Sequence, residues 1–118
     1  MVAFNDKHVS DFQKLQPRMH VSGRKEALNS RVDVYYYMFD LMYVDGHDVT
    51  RCKLRDRKKL LRKAIKAEDP LRIVQYRNDD GLAFYKEACQ KGWEGLIAKH
   101  AGSAYQHGRS SKWLKFRC

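Results

Sequence analysis

The sequence lacks any recognisable cysteine or histidine site. Cys52, Cys89 and Cys118 are odd in number, lie far apart and include no CxxC pair. The five histidines include no pair at the i, i+4 spacing that would place two ligands on one helix face. We therefore expect no zinc or histidine-based metal site, and three reduced thiols in a cytosolic setting.

Long apolar runs, internal repeats and low-complexity linkers are also absent. No stretch approaches the roughly 18 apolar residues of a membrane span, and the opening MVAFNDKH lacks the basic-then-apolar order of a secretory signal. A chain of 118 residues has room for one hydrophobic core. We predict a single domain over residues 1–118, cytoplasmic and without a membrane partner, and associated with the nucleoid if the source is bacterial.

Acidic residues are few relative to basic ones. The chain has 24 Lys and Arg against 14 Asp and Glu, which gives a formal net charge of +10 and a pI near 9.7. Such an excess favours polyanionic partners such as nucleic acid or nucleotide phosphates, since each neutralised phosphate releases a counterion. A soluble basic protein with no nucleic-acid role remains the alternative on charge alone.

The first half of the chain predicts strands around one short helix. Residues 2–4 resemble the tail of a strand, and Ser10 is a candidate N-cap for the helix that follows. Residues 21–31 are polar and predict a connector. The run 32–44 is dense in β-branched and aromatic residues and predicts the central strand, which the turn dipeptide Asp45-Gly46 ends.

The second half predicts two helices among shorter strands. Nine of the sixteen residues from Arg51 to Lys66 are Lys or Arg, on a helix predicted over 52–67 with a cationic outer face. After it we predict a strand over 71–77, a helix over 82–89 capped by Asp79 or Asp80 and by Gly92, and strands over 94–99 and 113–117. The pattern indicates an α+β domain, with a mainly antiparallel sheet and flanking helices.

Three short motifs carry charged or aromatic residues at strand positions. Phe39 fits either the core or a pocket in which its ring stacks on a base. In EGLIAK, alternation places Glu94 on one face and Lys99 on the other, so both fit either strand ends in water or a functional site. In WLKFR, Lys115 and Arg117 share a face, which suits either solvent or an anion such as phosphate.

Together, in this order and at these intervals, the motifs make nearly the whole chain similar to one family. It resembles the adenylylation domain of ATP-dependent DNA ligases, in particular the bacterial end-joining type. The segments that carry the resemblance are DFQKLQPR at 11–18, YYYMFDLMYVDGHDV at 35–49, LRDRKKLL at 54–61, AFYKEACQKGWEGLIAKH at 83–100 and SAYQHGRSSKWLKFRC at 103–118.

The resemblance implies a partial ATP-grasp-like nucleotidyltransferase domain that uses ATP and Mg2+ on nicked DNA. YMFD matches the family's third motif, so Phe39, accompanied by Asp40, would stack on the adenine of ATP or AMP. EGLIAK matches the fourth, so Glu94 would lie beside the phosphates and the metal, with Lys99 as the motif's closing basic residue. WLKFR matches the fifth, whose two cations hold the α-phosphate; they would be Lys115 and Arg117, the latter where the family usually has lysine.

The basic helix supplies the predicted contacts with nucleic acid. They are Arg55, Arg57, Lys58, Lys59, Arg62 and Lys63. Arg57 also matches an arginine at the start of the corresponding family helix, with no chemical role assigned to it.

The departure from the family concerns the nucleophile. Its KxDG motif, whose lysine carries AMP, is absent from these residues, as are the strand after it and the OB-fold domain, so no catalytic residue is assigned. Three hypotheses follow: a fragment that keeps part of the ATP pocket and cannot form enzyme-AMP alone, half of a split ligase completed by another chain, or a non-catalytic basic module that binds nucleic acid. A sheet without its first strands would expose an edge, so we also expect self-association or a swapped dimer.

Overall fold

The computed structural model describes residues 1–118, which form a small α+β domain. Its elements, in chain order, are α1 (Phe12–Met19), α2 (Arg24–Asn29), β1 (Tyr36–Met38), β2 (Tyr43–Val44), β3 (His47–Asp48), α3 (Leu54–Ala64), β4 (Leu71–Ile73), α4 (Gly81–Gln90), β5 (Gly95–Lys99) and β6 (Trp113–Arg117). No helix among them has the length and apolar character needed to cross a membrane.

The strands pair in three small sheets instead of the single predicted sheet, and two of the three are antiparallel. β1 pairs with β4 in parallel, whereas β2 with β3 and β5 with β6 are antiparallel. The predicted central strand over 32–44 is broken between β1 and β2. The break has a local cause, because the Asp40 carboxylate accepts the Leu41 amide at 2.8 Å and so removes that donor from a strand ladder. The turn at Asp45-Gly46 is confirmed, with both residues at positive φ.

The N-terminal segment is held against β1. Val2 exchanges two backbone hydrogen bonds with Tyr35, both 2.8 Å, so the predicted strand tail is present as a bridge. The first helix begins one residue later than predicted, because the Asp11 carboxylate caps it by accepting the Gln13 amide at 2.9 Å. The predicted connector contains the short helix α2.

The two longer helices each bury one narrow stripe. α3 buries Leu54 and Leu61 and is shorter than predicted. α4 begins after Asp80, as predicted, and buries Phe84 and Ala88, while Leu82 in its first turn is 70% exposed. Only 9 of 118 residues are buried, so the strands present much of their surface to solvent.

The cysteines differ from the prediction of three reduced thiols. Cys89 at the end of α4 and Cys118 after β6 form a disulfide with their Cα atoms 5.4 Å apart, and Cys52 is free and exposed. The prediction failed because sequence spacing does not report that α4 and the end of β6 meet in space. The bond ties the β5–β6 hairpin to α4.

Candidate functional site

One face of the β5–β6 hairpin carries a row of cationic side chains. The register places Lys99 opposite Trp113, Ile97 opposite Lys115, and Gly95 opposite Arg117. Directly opposed residues in an antiparallel pair share a face, so Lys99, Lys115 and Arg117 all project from the same side. At about 3.3 Å per residue the row runs roughly 13 Å along the hairpin.

Phe39 lies at the Lys99 end of this row. The Lys99 ammonium is 4.7 Å from the centroid of the Phe39 ring and 4.4 Å from that of Trp113, so it rests between two aromatic faces. Burial lowers the pKa of Lys99, and repulsion from the Lys58 ammonium lowers it further. The structure thus brings together two predicted site residues, Phe39 and Lys99. Phe39 remains 49% exposed, with ring surface accessible to a planar ligand.

Glu94 reaches the cationic face, where it pairs with Lys115. The Lys115 ammonium donates to the Glu94 carboxylate at 2.7 Å, and this hydrogen bond and charge hold the pKa of Glu94 below its usual range, with a smaller contribution from Arg117. Strict alternation along the strand predicts Glu94 on the face opposite to Lys99. That prediction is wrong, because the strand is irregular at Gly95. Gly95 has a φ of +158° and packs against the Phe116 carbonyl where a Cβ would overlap it, so regular alternation stops there.

The donor set at Glu94 suits a cation only in part. No group of three or more His, Cys, Asp or Glu side chains in the structure is arranged to hold a metal ion. Magnesium is often bound by one or two carboxylates together with substrate phosphates and water. If a phosphate replaces Glu94 as the partner of Lys115, the Glu94 carboxylate is free to bind a metal ion. The residues therefore fit a metal ion that is bound together with a nucleotide.

Behind Phe39, Asp40 and Arg57 form a buried ion pair. The guanidinium donates to both carboxylate oxygens, at 2.8 and 3.1 Å, and to the carbonyls of Cys52 and Ser103, at 2.6 and 2.9 Å. The Arg57 side chain has no exposed surface, so its inclusion among the predicted nucleic-acid contacts is wrong. Its role is to join the end of β1, the start of α3 and the 101–105 loop, which fixes the backbone that carries Phe39.

A shallow cavity of about 260 Å³ opens beside Phe39. Tyr105 also lines this cavity and packs edge-on against Trp113, with ring centroids 5.3 Å apart. The sequence alone indicates no role in the site for Tyr105 or Trp113. Their contacts join segments that are distant in the chain, which spacing along the sequence does not reveal. The one available signal was that Trp113 lies on the same strand face as Lys115.

The basic helix α3 presents a smaller cationic face than predicted. Arg55, Lys59, Arg62 and Lys63 are exposed and Lys58 is half-buried, and both Lys58 and Arg62 contact Tyr76. The Lys58 ammonium lies 4.2 Å from the Tyr76 ring centroid, and Arg62 donates to its hydroxyl at 2.5 Å. Burial lowers the pKa of Lys58. The exposed stripe of α3 therefore consists of Arg55, Lys59 and Lys63, and Arg62 beside it is exposed but bonded to Tyr76.

Residues 1–117 match the family model described as the ATP dependent DNA ligase domain. "DNA ligase 2" of Korarchaeum cryptofilum is 37% identical over 112 residues, which cover 90% of this chain and 19% of that protein. The multifunctional non-homologous end joining protein LigD of Pseudomonas aeruginosa is 34% identical over 120 residues, covering 100% of this chain and 14% of that protein. The chain thus spans less than a fifth of the length of these curated relatives.

Solved structures agree with the sequence relatives. The ligase domain of M. tuberculosis LigD superposes with a TM-score of 0.75 at 32% identity, over 98% of this chain and 36% of that one. A mycobacterial DNA ligase D complexed with ATP and MES gives a TM-score of 0.76 at 31% identity, over 98% and 35% of the two chains. This chain belongs to the ATP-dependent DNA ligase domain family.

Proposed function

We propose that these residues form the nucleotide-binding part of a ligase adenylylation domain. The adenine of ATP or AMP stacks on Phe39, and the phosphates lie along the hairpin face against Lys115 and Arg117. Lys99 borders the adenine end, and Glu94 supplies one carboxylate to Mg2+. The whole activity would be nucleotidyl transfer that seals nicked DNA in repair or recombination, in a cytoplasmic setting.

The observation that carries this proposal is the continuity of the hairpin face. One end adjoins a half-exposed aromatic ring beside a cavity, and the other end carries two exposed cations. A nucleotide has the same polarity, with a planar base at one end and anionic oxygens at the other. A guanidinium at Arg117 can also bind two phosphate oxygens at once. The ATP in a mycobacterial relative supports the choice of ligand.

Titration of the chain with ATP and Mg2+ by isothermal calorimetry tests nucleotide binding. Base–aromatic stacking contributes about 1–3 kcal/mol, so Phe39→Leu should weaken binding roughly 5- to 150-fold. Phe12→Leu is the matched control, because Phe12 is 61% exposed on α1 and has no proposed contact with the nucleotide. Equal affinities for the Phe39 variant and the unaltered chain would exclude this site.

The lysine nucleophile must come from outside these residues. No KxDG motif occurs among them, and the lysines at the site are engaged, Lys99 between two rings and Lys115 with Glu94. Covalent transfer requires an amine aligned within about 3–3.5 Å of the phosphorus. The lysine would be supplied by another part of the same protein or by a separate chain.

Labelling with ATP radioactive at the α-phosphate separates these possibilities from self-sufficient catalysis. We expect no covalent label on the 118-residue chain alone. Addition of a chain segment that carries the family's KxDG motif should place label on that segment. Label on this chain by itself would contradict the proposal, and no transfer to the added segment would favour a non-catalytic role.

The exposed stripe of α3 supports DNA as the second ligand. Phosphate contacts by Lys59 and Lys63 would each contribute about 0.9 to the slope of log affinity against log salt. The double variant Lys59→Ala/Lys63→Ala should therefore reduce the slope for nicked duplex DNA by roughly 2. Salt-dependent DNA binding without ATP binding would support the alternative, a non-catalytic basic nucleic-acid-binding module. A flat salt response would exclude this surface.

The small sheets also support self-association. Each sheet has two strands, so every strand has one edge with no neighbouring strand in its sheet, and an exposed edge of this kind recruits further strands. We propose a dimer or a swapped dimer through these edges. Light scattering at increasing protein concentration should show a mass above that of the 13.9 kDa chain. A constant monomer mass would exclude self-association.

A further inference from the structure

The end of β6 is attached to α4 at two adjacent residues, Arg117 and Cys118, beside the cationic face of the hairpin. There Cys118 is bonded to Cys89, and the Tyr85 hydroxyl donates to the Arg117 carbonyl at 2.6 Å. The Cys118 amide also donates to the Glu94 carbonyl at 2.9 Å. The disulfide therefore lies next to the backbone that positions Glu94 and Arg117, two of the charged residues of the site.

Little else holds this end of the hairpin. Leu114, Phe116 and Arg117 are exposed, and the sheet has only two strands. A two-stranded sheet is marginally stable by itself in water. The order of the hairpin at this end of its cationic face must therefore depend on its attachments to α4.

We propose that Cys89 and Cys118 form a redox modification site, oxidised by a low-molecular-weight disulfide. The proposal goes beyond nucleotide binding and rests on it only for the effect on ATP affinity. The exposed Cys118 thiolate attacks one sulfur of the small disulfide, forms a mixed disulfide and releases one thiol. The Cys89 thiolate then attacks the Cys118 sulfur and releases the second thiol. The two protein thiols are oxidised, they lose two protons, and the small disulfide is reduced to two thiols.

The consequence is a change in local order. In the oxidised state the end of β6 is clamped to α4, and Arg117 and Glu94 are held beside Lys115. In the reduced state only the hydrogen bonds remain, and this end of the hairpin opens more often. Disulfides in reducing compartments are usually transient and redox-sensing, so a cytoplasmic setting would make the bond reversible.

Hydrogen exchange of the 118-residue chain tests the proposal. The chain is equilibrated in glutathione disulfide or in reduced glutathione, the Cys89–Cys118 bond is verified by peptide mass, and amide exchange over residues 113–118 is measured. We expect exchange at least about tenfold slower in the oxidised chain. Cys89→Ser should remove this difference, while Cys52→Ser, at the exposed free cysteine, should retain it.

Two results would overturn the proposal: failure of the bond to form at any glutathione ratio, or equal exchange of these amides in both states. ATP titration of both states adds a separate readout, with affinity expected to fall severalfold on reduction. Equal ATP affinity in the two states would remove the link to the site. If neither state binds ATP, the nucleotide proposal fails, and the exchange data still decide whether the thiols control local order.

Discussion

Two ion pairs of nearly equal length differ in their exposure to solvent. Arg57 and Asp40 approach to 2.8 Å, and Lys115 and Glu94 approach to 2.7 Å. Their exposures differ sharply, because the first pair has side chains that are 0% and 5% exposed and the second 49% and 75%. Two ion pairs of similar length therefore have different roles. The buried pair stabilises the fold, whereas in the exposed pair Lys115 can release Glu94 and bind an anionic ligand.

The energetics follow from burial. Removing one member of a buried pair leaves a charge without solvent or partner, which costs far more than the pair contributes. An exposed pair exchanges its hydrogen bonds with water and is worth about 0–1 kcal/mol. Variants of the two pairs should therefore separate stability from nucleotide affinity.

The largest effect is expected at Arg57. Arg57→Met should lower the free energy of unfolding by about 3–5 kcal/mol, because it leaves the Asp40 carboxylate buried and unpaired. Urea denaturation measures the loss. The matched control is Lys59→Met on the exposed side of the same helix, which should stay within about 0.5 kcal/mol. Equal losses in the two variants would refute the structural role of the buried pair.

Lys115 should show the reverse behaviour. Lys115→Met is expected to leave stability within about 1 kcal/mol, since its ion pair is exposed. ATP affinity should fall by roughly 10- to 150-fold, because a hydrogen bond to a charged group is worth about 1.5–3 kcal/mol. Calorimetry against Lys112→Met, an exposed lysine outside the proposed site, provides the comparison. A matching loss in the Lys112 variant would indicate nonspecific attraction.

A substitution at Gly95 tests the irregular backbone that brings Glu94 to Lys115. A Cβ there would overlap the Phe116 carbonyl oxygen, so Gly95→Ala should destabilise the hairpin by more than about 1 kcal/mol. Gly108→Ala is the control, since nothing lies within 4 Å of the Cβ it would add. Urea denaturation measures the two costs, and an equal tolerance of both substitutions would disprove the close contact.

The smallest effect concerns pH. The pKa of Glu94 lies below its usual 4.5 in the folded chain, mainly because of Lys115, so the unfolded chain takes up its proton first. The stability from this pair is present above pH 4.5 and is lost as pH falls through the folded pKa. Glu94→Gln should reduce the acid-side slope of stability against pH. Part of this slope should remain in the variant, because the pKa values of Asp48, Asp69 and Glu87 are also lowered in the folded chain. An unchanged slope would show that the ion pair does not form in solution.

The sequence predicted individual turns, helices and strands better than it predicted contacts between residues far apart in the chain. The turn at Asp45-Gly46, the amphipathic α3 and the strands of the hairpin follow from residue spacing and propensity, which act over a few positions. Asp40 and Arg57 are separated by 17 residues, and no periodicity predicts their pairing. The same holds for the disulfide and for Lys99 between two rings. Glu94 was misplaced because one glycine interrupts an otherwise regular alternation.

The cationic face of the β5–β6 hairpin and the Phe39 ring together form the proposed nucleotide site. Nuclear magnetic resonance of the isotopically labelled chain during titration with ATP and Mg2+ tests it most directly. We predict that the largest chemical-shift changes occur at Phe39, Lys99, Trp113, Lys115 and Arg117, while the exposed face of α3 changes little. Changes confined to α3, or no saturable change at the hairpin, would contradict the account.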